Sequence, residues 1–263
     1  MSVVLSALIV AALAQPTPRT STQPAPQPPV PNVRHALPPS ALLTFVQHTL
    51  KPGTSEDYEA IEAQVVRGYR RANVPLFWIA LQSFTNRRDV LYLQMAESPA
   101  QAERAAASER NTLASRPDLA RLQRRLAALV REHTSTLATH RDELISGRSS
   151  PDFSTMRGLR VTVFQVHPGR EGEFIEAMRT ADWRDPSWSV YEANQAPTFF
   201  LVVPLESLTK RHRVFSIPRA LRHLRGVYTV PDTRVYVVKP MLSHVPQDFA
   251  RGNSRFWKPA VAH

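Results

Sequence analysis

The sequence predicts an α+β fold made of two tandem β-α-β-β-α-β units. Three observations lead there. A strand, a Pro-Gly turn and an acidic helix start are written twice, as VQHTLKPGTSEDYEA from Val46 to Ala60 and VFQVHPGREGEFIEA from Val163 to Ala177. Strand-like and helix-like apolar patterns follow each copy in the same order. A proline-rich stretch precedes both and separates them from the N-terminus.

The first unit opens with a strand over Ala41 to Leu50, ended by Lys51-Pro52-Gly53. Thr54-Ser55 offers a helix cap, and Glu56 and Asp57 suit the positive end of the helix dipole. Tyr58, Ile61, Val65, Tyr69 and Ala72 recur at helical spacing. Leu76 to Leu81 and Val90 to Met95 read as a hairpin around the polar turn Thr85 to Asp89. Ser98-Pro99 caps a second helical region, expected to run to about Glu132 with a stripe at Leu119, Leu122, Leu126 and Leu129-Val130. Thr134 to His140 is the last strand.

The second unit keeps the order. Arg160 to Val166 is a strand, His167-Pro168-Gly169 a turn and Glu171 to Ala181 a helix with Phe174, Ile175 and Met178 apolar. Trp188 to Ala193 and Thr198 to Val203 flank Asn194-Gln195-Ala196-Pro197, and Thr233 to Lys239 is the last strand. One constant offset aligns Pro52 with Pro168 and Gly53 with Gly169, the mark of an internal repeat.

Each unit is ferredoxin-like: an antiparallel sheet covered by helices on one face. The bare face needs cover. Two copies packing sheet to sheet in one chain supply it, as an intrachain pseudo-dimeric α+β barrel. The strand endings KPGTSEDYE and HPGREGEFI resemble the opening of the dimeric α+β barrel superfamily, which includes the antibiotic-biosynthesis monooxygenase-like and NIPSNAP-like families. The resemblance spans Ala41–Ser146 and Gly158–His244. It implies a fold shared by cofactor-independent oxygenases, haem-using enzymes and muconolactone-isomerase-like proteins. Fold alone does not select among these activities.

The expected organisation is a signal peptide at 1–14, a disordered proline-rich linker at 15–39, the first repeat at 40–146, a linker at 147–157, the second repeat at 158–245 and a tail at 246–263. Val3 to Leu13 is almost wholly apolar, and Ala12 and Ala14 fit an A-x-A cleavage site after Ala14, so the protein is expected to be secreted or periplasmic. Positive charge before the apolar run comes only from the α-amino group. Nine of the residues from Pro16 to Pro39 are proline, which favours extended chain over a packed core. No other stretch is long and apolar enough for a membrane span.

Composition narrows the chemistry. The chain has no cysteine, which excludes disulfides, thiolate catalysis and Cys-ligated metals. Its 33 Lys+Arg against 22 Asp+Glu give a net charge of +11. Lys210, Arg211, Arg213, Arg219, Arg222 and Arg225 concentrate that charge and suit an anionic surface or a solvated helix face. Nucleic acid is not expected, because only Phe215 interrupts the basic run and single-strand binders interleave aromatics. Metalloprotease, phosphate-loop, dinucleotide and nucleophile-elbow motifs are all absent.

What remains is histidines, aromatics and one acid. His48 lies on the first strand, where its repeat partner is Phe164. It reads either as a packed histidine or as a general base or haem ligand. His140 on the neighbouring strand could face it, whereas His133 and His140, seven apart on extended chain, point to opposite faces. No metal site is expected. Phe77, Trp78, Trp188 and Tyr191 open the two hairpins and are candidates to line a small-molecule pocket. Glu192 could orient a ligand or take a proton there. Ordinary core aromatics and a solvent-facing Glu192 are the plainer alternative. Phe249, Phe256 and Trp257 suggest a tail that docks on its own domain. The residues leave two function classes: a small-molecule-binding or assembly module, or a monooxygenase-like enzyme, cofactor-independent or haem-using, with a small aromatic or apolar substrate.

Overall fold

Strand β1 (Leu42–Leu50) sends Leu43 and Phe45 to one side and Val46 and Leu50 to the other, so its two faces build different cores. The structure is a computed structural model and describes residues 41–144, 152–181, 188–209, 219–224, 226–251 and 253–257. The expected signal peptide and proline-rich linker lie outside the described residues. So do Lys210, Arg211, Arg213 and Arg225 of the basic stretch.

The chain leaves β1 through Pro52-Gly53 and, later, makes a matching turn at Pro168-Gly169. Gly53 and Gly169 have φ of 77° and 81°, a left-handed conformation that only glycine adopts without strain. Helix α1 (Ser55–Arg71) comes after the first turn. Its expected cap forms differently: the Thr54 hydroxyl donates backwards to the Lys51 carbonyl at 2.9 Å and does not cap a helix amide. Tyr58, Ile61, Glu62, Val65, Val66 and Tyr69 form the buried stripe of α1.

Strands β2 (Trp78–Ser83) and β3 (Asp89–Ala96) form the first hairpin. Ser98 caps helix α2 (Pro99–Ser115) by accepting from the Gln101 amide, and the Gln101 side chain accepts from the Glu97 amide. Helix α3 (Pro117–Leu129) packs Leu119 into the notch at Gly68 of α1, where a β-carbon would stand 2.1 Å from a Leu119 methyl. The expected continuation of helix to Glu132 does not occur. Strand β4 runs from Val130 to His140, because Val130 pairs with Leu50, Glu132 with Thr49 and His133 with His48. The ladder to β1 outweighs the helical stripe that Leu129-Val130 suggested.

The later elements are β5 (Gly158–Gln165), α4 (Glu171–Thr180), β6 (Ser189–Ala193), β7 (Thr198–Leu205), the short α5 (Arg219–Arg222), β8 (Asp232–Val238), α6 (Gln247–Arg251) and α7 (Ser254–Trp257). All strand pairs are antiparallel, and the eight strands close a barrel in the order β1-β3-β2-β8-β5-β7-β6-β4. Two short seams complete the circle. Leu81, Gln82 and Ser83 face Val238, Val237 and Tyr236 across one, and Ala138, Thr139 and His140 face Ala193, Glu192 and Tyr191 across the other. Closure leaves no bare sheet edge.

Period-two alternation sorts the apolar side chains into three cores. The barrel interior holds Phe45, Leu81, Leu91, Leu159, Tyr191, Phe200 and Val202, among others. One outer core lies under α1 and α3 and contains Trp78, Ala80 and Tyr92. The other lies on the outside of β5, β6 and β7 and contains Phe164, Phe174, Trp188 and Phe199.

One mouth of the barrel is stoppered by the segment before β5 and by the C-terminal tail. Phe153, Met156, Phe249 and Trp257 join the interior core there. The Trp257 indole donates to the Ser154 carbonyl at 2.6 Å, and the Arg157 guanidinium lies 3.8 Å above the Phe256 ring. At the far end of β1 and β3 the groups are polar. Asp89 accepts from Thr49 at 3.4 Å and from Asn86 at 2.9 Å, and lies 3.9 Å from Arg234.

Candidate functional site

The stopper leaves space beneath it. A cavity of about 270 Å³ lies between Leu43, Ile79, Leu93 and Met95 of the barrel wall and Phe153 and Phe249 of the stopper. Phe77, just ahead of β2, and Tyr191 of β6 complete its apolar lining, and Glu97, Gln101 and Asp248 supply its polar groups. Inward positions on β1, β2 and β3 are apolar because strand alternation sends them into the barrel.

Tyr191 is fully buried, yet its hydroxyl has no hydrogen-bond partner among the described residues. Burial, then the negative charges of Glu97 and Asp142, hold its phenol protonated well above the usual tyrosine range. His140 pairs with Tyr191 across the seam, with ring centroids 4.9 Å apart. Its Nδ1 lies 2.8 Å from Asp142, and its buried Nε2 also has no partner among the described residues. Burial pulls the His140 pKa down, against the upward pull of Asp142 and Glu143. Buried polar atoms are usually paired, so two adjacent ones without partners mark the place.

His48 sits elsewhere. It projects outward under α1, where its Nδ1 meets the Tyr58 hydroxyl at 2.7 Å. That hydroxyl lies 2.6 Å from the Tyr92 hydroxyl, and Tyr92 in turn hydrogen-bonds Glu62. Burial pushes Glu62 up to about 8 and, with His133 nearby, lowers His48 to about 4. His48 and Glu62 are therefore both neutral near pH 7. His48 does not meet His140. His48 instead faces His133, with ring centroids 5.0 Å apart, while His140 turns into the barrel.

The four aromatic candidates divide between the two sides of the wall. Phe77 and Tyr191 line the cavity, whereas Trp78 and Trp188 belong to the two outer cores. The Trp78 indole donates to the Leu242 carbonyl at 2.8 Å. Glu192 also faces outward and forms an ion pair with Arg141. Sequence reasoning missed Glu97, Gln101 and Phe153, which carry no local motif. It also missed Glu62, which was visible as an acid on the apolar stripe of α1, four residues after Tyr58.

Among the described residues no group of three or more His, Asp or Glu could hold a metal ion. Neither His48 nor the cavity fits haem. It needs an axial donor opening onto a space wide enough for the macrocycle. His48 is enclosed by Tyr58, Tyr92 and His133, and the 270 Å³ cavity has no histidine in its lining. Among the described residues no helix is long and apolar enough to cross a membrane.

No protein-family model matches the chain, and no curated protein matches it in sequence. Solved structures do resemble it. Chlorite dismutase from Candidatus Nitrospira defluvii, in complex with imidazole, superposes with a TM-score of 0.50 at 11% identity, covering 83% of this chain and 96% of that one. The chain shares that barrel fold. Other solved structures match at lower scores. A candidate monooxygenase from Lactobacillus acidophilus gives a TM-score of 0.47 at 9% identity, over 75% of this chain and 93% of that one. An anthrone oxidase-like protein gives 0.47 at 12% identity, over 75% and 91%. At such identities the α+β barrel likeness concerns fold and does not extend to activity.

Proposed function

We propose that the protein binds a small, mainly apolar or aromatic molecule in the stoppered mouth of its barrel. One observation carries this reading: an apolar cavity of about 270 Å³ has Tyr191 in its lining, a buried residue whose hydroxyl has no partner among the described residues. Ligand sites commonly combine apolar walls with a few placed polar groups, and their volumes begin at roughly 300 Å³. A ligand that hydrogen-bonds Tyr191 would relieve the desolvation of that hydroxyl. Native mass spectrometry of protein purified from its own host tests the proposal. A retained mass that Ala96→Trp removes supports it, and bare protein that no aromatic compound stabilises against heat counts against it.

A monooxygenase-like enzyme is the second reading. The buried chain His48–Tyr58–Tyr92–Glu62 favours it, because acids and bases with opposed shifts often mark reactive sites. Oxygen uptake on addition of the recovered ligand, lost in His48→Phe, is the measurement that separates enzyme from binder.

We further infer that the two halves are tandem copies of one ferredoxin-like unit. The neighbour order β4-β1-β3-β2 in one half matches β8-β5-β7-β6 in the other, and each half carries a Pro-Gly turn with positive φ after its first strand. Export with cleavage after Ala14 belongs to the same reading, and the N-terminal sequence of the mature protein tests it.

A further inference from the structure

The charged groups at the cavity favour one kind of ligand. We propose that the cavity takes a small aromatic or apolar amine, bound as its ammonium ion, with Glu97 as counter-charge and the Tyr191 hydroxyl as acceptor. The inference rests on the binding role proposed above and adds the ligand's chemical class.

The charge at the cavity is opposite in sign to that of the chain as a whole. The protein carries +11 net, yet the two charged residues lining the cavity, Glu97 and Asp248, are both acidic. Asp248 is already held by Arg251 at 2.9 Å. Glu97 has no ion pair among the described residues, and its backbone amide is taken by Gln101. Arg141, the guanidinium nearest in sequence to His140, is held by Glu143 at 2.5 Å and by Glu192. Glu97 is thus the carboxylate left to meet a cation.

The buried groups agree. Tyr191 and Glu97 both line the cavity, and the negative charges of Glu97 and Asp142 both bear on the Tyr191 phenol. Its lone pairs can accept from a donor. Beside it, behind the cavity lining, His140 is held at Nδ1 by the Asp142 carboxylate. An ammonium group has three donors and no acceptor, so it complements this set, whereas a carboxylate ligand would meet like charge and lone pairs. Phe77, Phe153 and Phe249 suit the apolar part, and aromatic faces also attract cations.

The test is calorimetric titration of the full chain with three ligands of similar size: 2-phenylethylammonium, 2-phenylethanol and 3-phenylpropanoate. A charge-assisted hydrogen bond is worth more than a neutral one, so the amine should bind roughly tenfold more tightly than the alcohol, with the carboxylate weakest. Glu97→Gln, at an exposed position, should erase the amine's advantage over the alcohol. Ala96→Trp, which fills the mouth, should remove all binding. Equal affinity for amine and alcohol, or a preference that survives Glu97→Gln, overturns the amine assignment while the cavity remains a binding site. No binding of any of the three up to their solubility overturns both, as does binding that persists in a folded Ala96→Trp variant.

Discussion

Phe45 of β1 lies flat on Phe200 of β7 inside the barrel, with ring centroids 4.2 Å apart and planes 13° from parallel. The pair joins the two halves of the chain through the interior core. Truncating either ring to alanine should cost about 3–5 kcal/mol, the usual range for a buried phenylalanine. The double variant should cost less than the sum of the two, because the stacking contribution of about 0.5–1.5 kcal/mol is lost only once. Urea unfolding of the four proteins measures this, and strict additivity would show that the rings do not interact.

The His48–Glu62 chain predicts a pH dependence with a definite sign. Glu62 has its pKa raised from 4.5 to about 8, so it stays protonated in the folded protein while the unfolded chain ionises it. Its contribution is fully present below pH 4.5 and is lost as pH rises toward 8. His48 has its pKa lowered from 6.5 to about 4, so its contribution is present above pH 6.5 and is lost as pH falls toward 4. The two slopes oppose each other at acid pH, and only that of Glu62 acts between about 6.5 and 8. Glu62→Gln should therefore gain stability relative to the parent across that window, by about one proton's slope. Parallel stability curves for the two proteins from pH 6 to 8.5 would sink the idea.

The sequence made the turns and helix starts legible because their causes are local. Pro52-Gly53 and Pro168-Gly169 announce positive φ, and the stripe from Tyr58 to Tyr69 announces the covered face of α1. The grouping of candidates was not legible from nearness in sequence. Phe77 and Trp78 are neighbours, as are Tyr191 and Glu192, yet each pair straddles the barrel wall because a strand alternates its faces. The cavity depends on Phe153, Phe249 and Tyr191 meeting from three distant parts of the chain, and no local pattern encodes such a meeting. The start of β4 was hidden for a related reason: Leu129-Val130 continues a helical stripe, and only the pairing with Leu50 shows that Val130 belongs to the sheet.

The tail should behave as part of the core. Trp257 is 2% exposed and donates its indole proton to Ser154, and its ring meets Phe249 edge-on at 5.2 Å. Trp257→Ala should cost about 3–5 kcal/mol and open the barrel mouth. Binding of a hydrophobic dye such as anilinonaphthalene sulfonate under native conditions should rise as Phe153 and Met156 become accessible. A variant with unchanged stability and no dye signal would mean that the tail covers the barrel without supporting it.

Tyr191→Phe is the sharpest probe of the cavity, because binding and stability should move in opposite directions. Its hydroxyl is buried and has no partner among the described residues, so the folded protein bears the loss of its hydration. Removing that oxygen should leave stability unchanged or raise it by about 1–3 kcal/mol. The same change deletes the acceptor offered to a ligand, so affinity for an amine should fall several-fold even as the midpoint of thermal unfolding holds or rises. A hydroxyl with a structural partner gives the reverse result, a stability loss of about 1 kcal/mol. Thermal unfolding and calorimetric titration on one preparation distinguish the two outcomes, and a loss of stability with unchanged affinity would remove Tyr191 from the site.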